Sequence, residues 1–239
     1  MIFAAILAGG TGTRMDLDNL PKQFLLLDGK PILIHTLEKF CLCARFDALY
    51  IGVHKDWLSH TNELLQKYHL DGFPLHVVSG GTTRNQTIMN ILERIEGDFG
   101  SSAEHIVVTH DSVRPFVLLS TIEANIDAAL AYGACDTVIP ATDTIVRADQ
   151  SGQAIERIPT RDRMYQGQTP QSFKLQAFKE SYRTLDENTL AALTDACKVL
   201  LEAGVSVRLV AGDVTNIKLT TIMDYKIAQA MIASGVVDQ

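Results

Sequence analysis

The chain has 239 residues, of which 46% are hydrophobic and 21% are charged, so it is long enough for one α/β domain with a well-filled core over residues 1–239. The net charge of −7 argues against nucleic acid or an anionic membrane as a partner, because binding to either needs an excess of Lys and Arg. No segment approaches the roughly 18 continuous apolar residues of a membrane span, and we expect a cytoplasmic protein.

Short apolar segments alternate along the chain with longer segments of helical period, which is the pattern of a mostly parallel sheet with helices on both faces. Strands are predicted at residues 2–7, 48–53, 75–78, 106–110, 137–139 and 207–210. Helices are predicted at residues 31–40, 57–68, 84–96, 120–132, 190–203 and 222–233. Thr83 and Gln86 fit a capping box at the start of the third helix. The predicted fold class is therefore α/β and Rossmann-like.

Residues 141–160 break this alternation. Two β segments, 143–147 and 154–158, flank a polar turn at 149–153, which predicts a hairpin. A hairpin inserted here could not easily bury both of its faces against its own domain. We therefore expect a protruding β-arm that packs on a second subunit of a homodimer, although an ordinary edge hairpin explains the pattern almost equally well.

A glycine-rich loop follows directly on the first strand, with the sequence Leu-Ala-Gly-Gly-Thr-Gly-Thr-Arg over residues 7–14. Glycines allow backbone amides to approach phosphate oxygens closely. Arg14, and Lys22 in the following Pro-Lys-Gln-Phe segment, supply positive charge. The loop has neither the Walker ending nor the third glycine of a dinucleotide-binding loop, which disfavours an NAD-dependent oxidoreductase. A plain turn with incidental glycines is the alternative, and Arg14 and Lys22 favour a triphosphate site over it.

The segment His-Asp-Ser-Val-Arg-Pro at residues 110–115 begins where the fourth strand ends. Open α/β sheets place ligands at the carboxyl ends of their strands, so Asp111 and Arg114 are candidate site residues. A carboxylate that faces a triphosphate needs a cation between them, and we interpret Asp111 as a ligand of Mg²⁺. The alternative is that Asp111 caps the turn before Pro115. We interpret His110 as a structural residue at a strand end.

Two further segments lie next to predicted helices. Residues 80–87, Gly-Gly-Thr-Thr-Arg-Asn-Gln-Thr, open the third helix, and free amides at a helix N-terminus suit an anion or the polar edge of a base. A simple turn with a good cap would have the same sequence features. Lys218 precedes the last helix and, taken alone, is typical of a solvated surface lysine.

In this order and spacing, the four motifs resemble the family of CTP-dependent cytidylyltransferases that act on polyol phosphates, and the likeness covers nearly the whole chain. Segments 31–39, 164–173 and 195–198 look more like the ribitol-5-phosphate members of teichoic-acid synthesis than like the methylerythritol-phosphate members of isoprenoid synthesis. The latter usually carry Ala-Arg-Pro where this chain has Ser112-Val-Arg-Pro, and Asp-Glu-Ala near Asp195. The resemblance implies an enzyme that makes CDP-ribitol and pyrophosphate from CTP and D-ribitol 5-phosphate, with 2-C-methyl-D-erythritol 4-phosphate as the alternative acceptor.

The resemblance also implies roles for the matching residues. Those expected to bind the nucleotide are Leu7, Ala8, Gly9, Gly10, Gly80, Gly81, Thr82, Thr83, Arg84, Asn85, Gln86, Thr87 and Ser112. Those expected to be catalytic are Arg14, Lys22, Arg161 and Lys218. Those expected at the acceptor are Arg114, Arg161, Thr169 and Lys218, of which Arg161 and Thr169 would reach the site of the neighbouring subunit. Asp111 would bind Mg²⁺. A catalytically silent CTP-binding module is disfavoured, because it would not need the catalytic residues.

Overall fold

The computed structural model describes residues 1–10 and 20–236. Its strands are β1 Ile2–Ala8, β2 Leu26–Leu27, β3 Lys30–Pro31, β4 Ala48–Val53, β5 Leu75–Ser79, β6 Ile106–Asp111, β7 Ala134–Pro140, β8 Arg147–Ala148, β9 Ile155–Arg157, β10 Tyr165–Lys174 and β11 Arg208–Ala211. Its α-helices are α1 Ile32–Cys41, α2 Leu58–Lys67, α3 Arg84–Phe99, α4 Leu119–Tyr132, α5 Leu175–Thr184, α6 Glu187–Ala192, α7 Ala196–Glu202 and α8 Ile222–Ala233. Short 3-10 helices cover Lys22–Phe24, Lys55–Trp57 and Arg161–Arg163.

A seven-stranded sheet forms the centre of the described part, in the order β11-β7-β10-β6-β1-β4-β5. β1 is parallel to β4 and to β6, and β4 is parallel to β5. β10 is antiparallel to both β6 and β7, and β11 is parallel to β7. The predicted strands are all found in this sheet, so the mostly parallel arrangement is confirmed.

The two faces of the sheet are covered by different helices, and β1 shows how its sequence sets them. Ala4 and Ile6 belong to the core cluster that includes residues of α1, α2 and α4. Phe3 and Ala5 belong to the cluster that includes residues of α3, α5 and α7. Successive side chains of a strand point to opposite faces, so an unbroken apolar strand requires cover on both sides. The predicted Rossmann-like α/β fold is confirmed. Among the described helices, none has both the length and the apolar character needed to cross a membrane.

β10 is a strand that the sequence pattern did not predict. Its sequence is mostly polar, yet residues 168–173 are buried. The sheet supplies partners for these polar groups, as where the Thr109 hydroxyl donates to the carbonyl oxygen of Gln171 at 2.9 Å. Pro170 cannot donate to a strand ladder, and it lies in the stretch where the β10–β7 register shifts. The polar composition and Pro170 are therefore the reasons why the sequence pattern did not predict this central strand.

The helix predicted at residues 190–203 is wrong, because the chain forms α6 and α7 there instead. The Asp195 carboxylate accepts a hydrogen bond from the backbone amide of Lys198 at 3.2 Å, which makes Asp195 the N-cap of α7. Aspartate favours this position because it satisfies an amide that the helix leaves unpaired. The amphipathic helix α5 was not predicted.

β8 and β9 pair antiparallel, which confirms the hairpin predicted within residues 141–160. Asp149 closes its turn, since its amide donates to the carbonyl oxygen of Ala154 at 2.9 Å and its carboxylate accepts from the Ser151 hydroxyl at 2.8 Å. The exposed large hydrophobic residues of this arm are Ile145, Val146, Ile155 and Ile158. Its role in dimerisation stays a prediction.

Candidate active site

A cavity of about 530 Å³ lies at the carboxyl ends of β1, β4 and β6. Its walls also come from the 3-10 helix Lys22–Phe24, the start of α3 and the segment before α8. The lining residues are Leu7, Gly9, Gly10, Lys22, Gln23, His54, Gly81, Thr82, Thr83, Arg84, Thr87, Asp111, Ser112, Val113 and Lys218. The cavity therefore lies at the edge of the sheet where the strand order predicts a ligand.

Most of the predicted nucleotide residues line this cavity, together with Lys22, Asp111 and Lys218. Four predicted nucleotide residues are not among the lining residues: Ala8, Gly80, Asn85 and Gln86. Asn85 is buried and donates its side-chain amide to the carbonyl oxygen of Leu193 at 2.7 Å, so it anchors α3. Arg14 lies outside the described residues.

Three amides of the turn before α3 are hydrogen-bonded within the chain. The amide of Gly80 donates to the end of β4 at 2.6 Å, and the amide of Gly81 donates to Thr87 Oγ1 at 3.0 Å. The amide of Thr82 donates to Gln86 Oε1 at 3.2 Å. The free amides predicted at this helix start therefore do not include these three.

The capping box predicted at this turn is half formed. Thr83 Oγ1 accepts the amide of Gln86 at 3.1 Å, as expected, but the Gln86 side chain bonds to Thr82 instead of returning to Thr83. A Cβ on Gly81 would lie 2.4 Å from Gln86 Cγ, so only glycine fits beside this side chain. Among the described residues, no atom lies within 4 Å of a Cβ built on Gly10. Packing therefore requires glycine at position 81, and the described residues impose no such requirement at position 10.

Asp111 lies at the end of β6 beneath three cationic side chains. Its Oδ2 is 2.9 Å from Lys218 Nζ and 3.5 Å from Arg114 Nε, and its Oδ1 is 3.5 Å from Arg84 Nη2. Burial alone would raise the pKa of Asp111, but Arg84, Lys218 and Arg114 outweigh it and hold the pKa well below its usual value. Three positive charges and one negative charge leave a net charge of +2. The group is suited to a multiply charged anion.

Lys218 is held in place by the segment that carries it. Arg114 Nη1 donates to the carbonyl oxygen of Asn216 at 2.7 Å, and the amide of Leu219 donates to the carbonyl oxygen of Val113 at 2.9 Å. These bonds join the segment before α8 to the turn after β6. Arg114, which was predicted at the acceptor, is buried and does not line the cavity. It holds Asp111 and the Lys218 segment together.

His110 and Thr169 support Asp111 from behind. His110 Nε2 lies 3.1 Å from the carbonyl oxygen of Arg114, which can only accept, so Nε2 carries the proton. Nδ1 therefore accepts from the Thr169 hydroxyl at 2.9 Å, and that hydroxyl oxygen accepts the amide of Asp111 at 3.1 Å. Burial lowers the pKa of His110 to about 4, which keeps the ring neutral at pH 7. With both nitrogens bonded, His110 has no free atom to act as a base.

Besides Arg114, two further predicted acceptor residues, Arg161 and Thr169, do not line the cavity of this chain. Thr169 is buried behind Asp111, and its hydroxyl is used by Asp111 and His110. Arg161 follows the arm, is exposed, and donates from Nη1 to the carbonyl oxygen of Thr142 at 3.2 Å. A contact of Arg161 or Thr169 with a neighbouring subunit's site stays a prediction.

Residues 2–234 match the sequence profile of the 2-C-methyl-D-erythritol 4-phosphate cytidylyltransferase family. The chain belongs to this family. It is similar to 4-diphosphocytidyl-2C-methyl-D-erythritol synthase of Anaerococcus prevotii, with 28% identity over 97% of this chain and 96% of that one and a TM-score of 0.80. The 2-C-methyl-D-erythritol 4-phosphate cytidylyltransferase of Francisella tularensis is 26% identical over 96% and 98% of the two chains, with a TM-score of 0.78. The enzyme of that name from Thermus thermophilus, at 24% identity, covers 98% and 100% with a TM-score of 0.72 and supports the fold alone.

The predicted resemblance to cytidylyltransferases is thereby confirmed, and the chain is a nucleotidyltransferase. The preference for ribitol 5-phosphate finds no support in these comparisons, because the matching family and the similar structures carry the methylerythritol name.

Asp111 fits the chemistry of a Mg²⁺ ligand in this cytidylyltransferase. It is ionised and is the one acid among the described residues that line the cavity. Mg²⁺ in nucleotide sites is commonly bound by one or two carboxylates and by substrate phosphates. A second group, Asp136, Asp195 and Cys197, has ligand atoms within 4.8 Å of one another. Burial raises the pKa of the Cys197 thiol well above its usual value, and none of the three lines the cavity.

Gln23, His54 and Val113 line the cavity but were not predicted as site residues. His54 directly follows β4, and the rule that selected Asp111 at the end of β6 would have selected it too. Its Nδ1 accepts the amide of Asp56 at 3.4 Å. Gln23 stands next to Lys22 in the predicted motif, but its amide carries no charge and drew no prediction.

Proposed function

We propose that this enzyme transfers the cytidylyl group of CTP to the phosphate of a polyol phosphate and releases pyrophosphate. The carrying observation is the group of Arg84, Arg114 and Lys218 around Asp111, in a cavity that Lys22 also lines. Two polyanions must meet in this reaction, and a site with excess positive charge lowers the cost of bringing them together. The family match supports the cytidylyl group as the part transferred.

In the proposed reaction an oxygen of the acceptor phosphate attacks the α-phosphorus of CTP, a new P–O bond forms, and the bond to pyrophosphate breaks. A phosphate monoester has a second pKa of about 6, so its oxygens are largely deprotonated at neutral pH. The attack therefore needs no general base, which agrees with the neutral and fully bonded His110. Lys22 and Arg14 would stabilise the negative charge that shifts to pyrophosphate, and Lys218 would place the acceptor phosphate.

Asp111 would hold Mg²⁺ together with phosphate oxygens of the nucleotide, and the ion would screen the charge of the triphosphate. Lys218 contacts one oxygen of this carboxylate, and Arg84 lies nearest the other. Arg84 and Lys218 would then share Asp111 with the ion.

The acceptor that the comparisons support is 2-C-methyl-D-erythritol 4-phosphate, the compound in the name of the matching family. D-ribitol 5-phosphate is the second candidate, and one observation favours it. Val113 lines the cavity and stands before Arg114 and Pro115, at the position where the methylerythritol members usually carry the alanine of Ala-Arg-Pro. The products would be 4-diphosphocytidyl-2C-methyl-D-erythritol or CDP-ribitol, respectively.

A homodimer built through residues 141–160 is part of the proposal. The arm exposes Ile145, Val146, Ile155 and Ile158, which a second subunit could cover. Arg161 directly follows this arm and does not reach the cavity of its own chain. A partner's arm would therefore add a guanidinium to the acceptor side of the site.

The test is release of pyrophosphate from CTP and Mg²⁺ with each acceptor supplied separately. We expect turnover with one acceptor to exceed turnover with the other by at least about 100-fold in kcat/KM, because a misplaced phosphate loses the line of attack. Replacing CTP by ATP, GTP or UTP tests the nucleotide in the same assay. Absence of pyrophosphate release with both acceptors would refute the proposed function.

A further inference from the structure

Gln23 is a buried side chain that joins the Lys22 segment to the end of β1. It is 2% exposed, and its Nε2 donates to the carbonyl oxygens of Ala8 at 2.7 Å and Gly10 at 3.1 Å. A side-chain amide has two N–H groups, so both are used on the glycine loop. We propose that Gln23 is a positioning residue, which sets Lys22 and the glycine loop at a fixed separation for the nucleotide phosphates.

The same two bonds orient the loop itself. In a trans peptide the C=O and N–H groups point in opposite directions. The carbonyl of Ala8 faces Gln23, so the N–H of Gly9 points away from Gln23. Gly9 and Gly10 both line the cavity, as does Lys22. One side-chain amide therefore contributes to the placement of both the loop and the lysine at the same cavity.

A second contact holds the other side of this segment. Phe24 is buried, with its ring centroid 5.1 Å from that of Trp57 and 4.9 Å from that of His60. The amide of Phe24 donates to the carbonyl oxygen of Pro21 at 2.9 Å, which closes the turn that contains Lys22. The aromatic contacts fix the segment against α2, and Gln23 fixes it against β1. Of these two sets of contacts, the Gln23 bonds are the ones that connect the Lys22 segment to the glycine loop.

Glutamine is specified here by chemistry and size. An apolar side chain would fill the space but would leave two carbonyl groups without their donor. An ionised glutamate would place a carboxylate against two carbonyl oxygens, since it has no hydrogen to donate. Gln23→Met keeps the length of the side chain and removes both donors. It is therefore the sharpest single change.

The proposal rests on the proposed function, because it assigns Lys22 to the triphosphate. The experiment compares Gln23→Met, Lys22→Ala and the double variant in the pyrophosphate assay at saturating CTP. We expect Gln23→Met to lower kcat by about 10- to 100-fold, the range expected when a catalytic group is displaced by about 1 Å. The double variant should lose less kcat than the product of the two single losses, because Gln23 acts in part through Lys22 and in part on the loop.

A matched control is Asn125→Leu on α4. Asn125 is a buried amide that donates to the Thr121 carbonyl at 3.0 Å and to Thr137 Oγ1 at 2.8 Å, and it does not line the cavity. The Asn125→Leu variant should have a lower melting temperature than the parent, while its kcat stays within about 3-fold of the parent's. Gln23→Glu gives a second measurement. Its activity relative to the parent should rise as the pH falls, because a protonated carboxyl regains one donor.

The outcomes separate the two proposals. If Lys22→Ala keeps the parent's kcat, the role of Lys22 in the proposed function is wrong, and the positioning role of Gln23 falls with it. If Lys22→Ala is slow but Gln23→Met stays within about 3-fold of the parent, only the positioning role is overturned. It is also overturned if the two losses multiply in the double variant, or if Asn125→Leu loses as much kcat as Gln23→Met.

Discussion

Replacing Thr169 with valine would remove one hydroxyl and both of the buried hydrogen bonds that it makes. The shape of the side chain barely changes, but His110 Nδ1 loses its donor and the Asp111 amide loses its acceptor. A buried polar group left without a partner costs about 1–3 kcal/mol, so we expect Thr169→Val to lower the free energy of unfolding by about 3 kcal/mol. Activity should fall as well, because the end of β6 that carries Asp111 is no longer fixed.

Urea denaturation at one fixed protein concentration measures this loss, with equal slopes required for a valid comparison. Thr169→Ser keeps the hydroxyl and loses only a methyl group, at a cost of about 1 kcal/mol. Thr109→Val removes a single hydrogen bond, to the carbonyl oxygen of Gln171, and should cost about 1 kcal/mol. The hydrogen-bonding scheme and the assigned tautomer of His110 would be refuted if Thr169→Val were as stable as Thr169→Ser.

Two further predictions concern the charged groups. Burial, with a smaller contribution from the Asp195 charge, raises the pKa of Asp136 from the ordinary 3.8 to about 6. Ionised Asp136 therefore weakens the folded state. The free energy of unfolding should decline as the pH rises from about 4 to above 6. Asp136→Asn should remove this decline and stabilise the protein at pH 7.5 by about 2 kcal/mol, measured by thermal or urea unfolding. This value is less than the full linkage value because the residue is partly exposed. Equal pH profiles of stability for the parent and the variant would contradict the prediction. Lys218→Met should raise the KM for the polyol phosphate by at least about 10-fold, with a smaller effect on the KM for CTP, because it removes one charge from the acceptor side. An unchanged KM for the polyol phosphate in steady-state kinetics would show that Lys218 does not place the acceptor.

The fold could be predicted where local pattern and tertiary environment agree. β4 is apolar at nearly every position because both of its faces are covered, so its period and its burial point to the same element. β10 was missed because its partners lie far away in the sequence: the environment that makes its polar strand acceptable is provided by Thr109 and by the segment around Asn216. Asp195 was missed as a helix start because apolar residues on both sides of it continue a helical period. The side-chain cap of Asp195 starts a new helix within a segment that periodicity alone predicts as one continuous helix.

The candidate site, like the fold, could be predicted from the sequence only in part. Strand ends and glycines placed Asp111, the 80–87 turn and Lys22 near one another, since parallel strands all finish at one edge. The sequence could not reveal which amides of that turn are free, because Gln86 and Thr87 close them through contacts that depend on the exact path of the turn. Nor does charge identify Gln23, whose importance lies in two carbonyl groups of another segment.

The surroundings of Asp111 indicate which of its three cations can pass to a substrate. The side chains of Arg84 and Arg114 are 20% and 10% exposed, and Arg114 is also held by the Asn216 carbonyl, whereas the side chain of Lys218 is 41% exposed. A lysine ammonium is a mobile point charge, and a guanidinium held by two partners is not. Before a substrate binds, Asp111 provides the counter-charge that keeps three cations together. When a phosphate enters, we expect Lys218 to turn to it while Arg114 continues to neutralise the carboxylate, so that Asp111 would keep the cations together between turnovers.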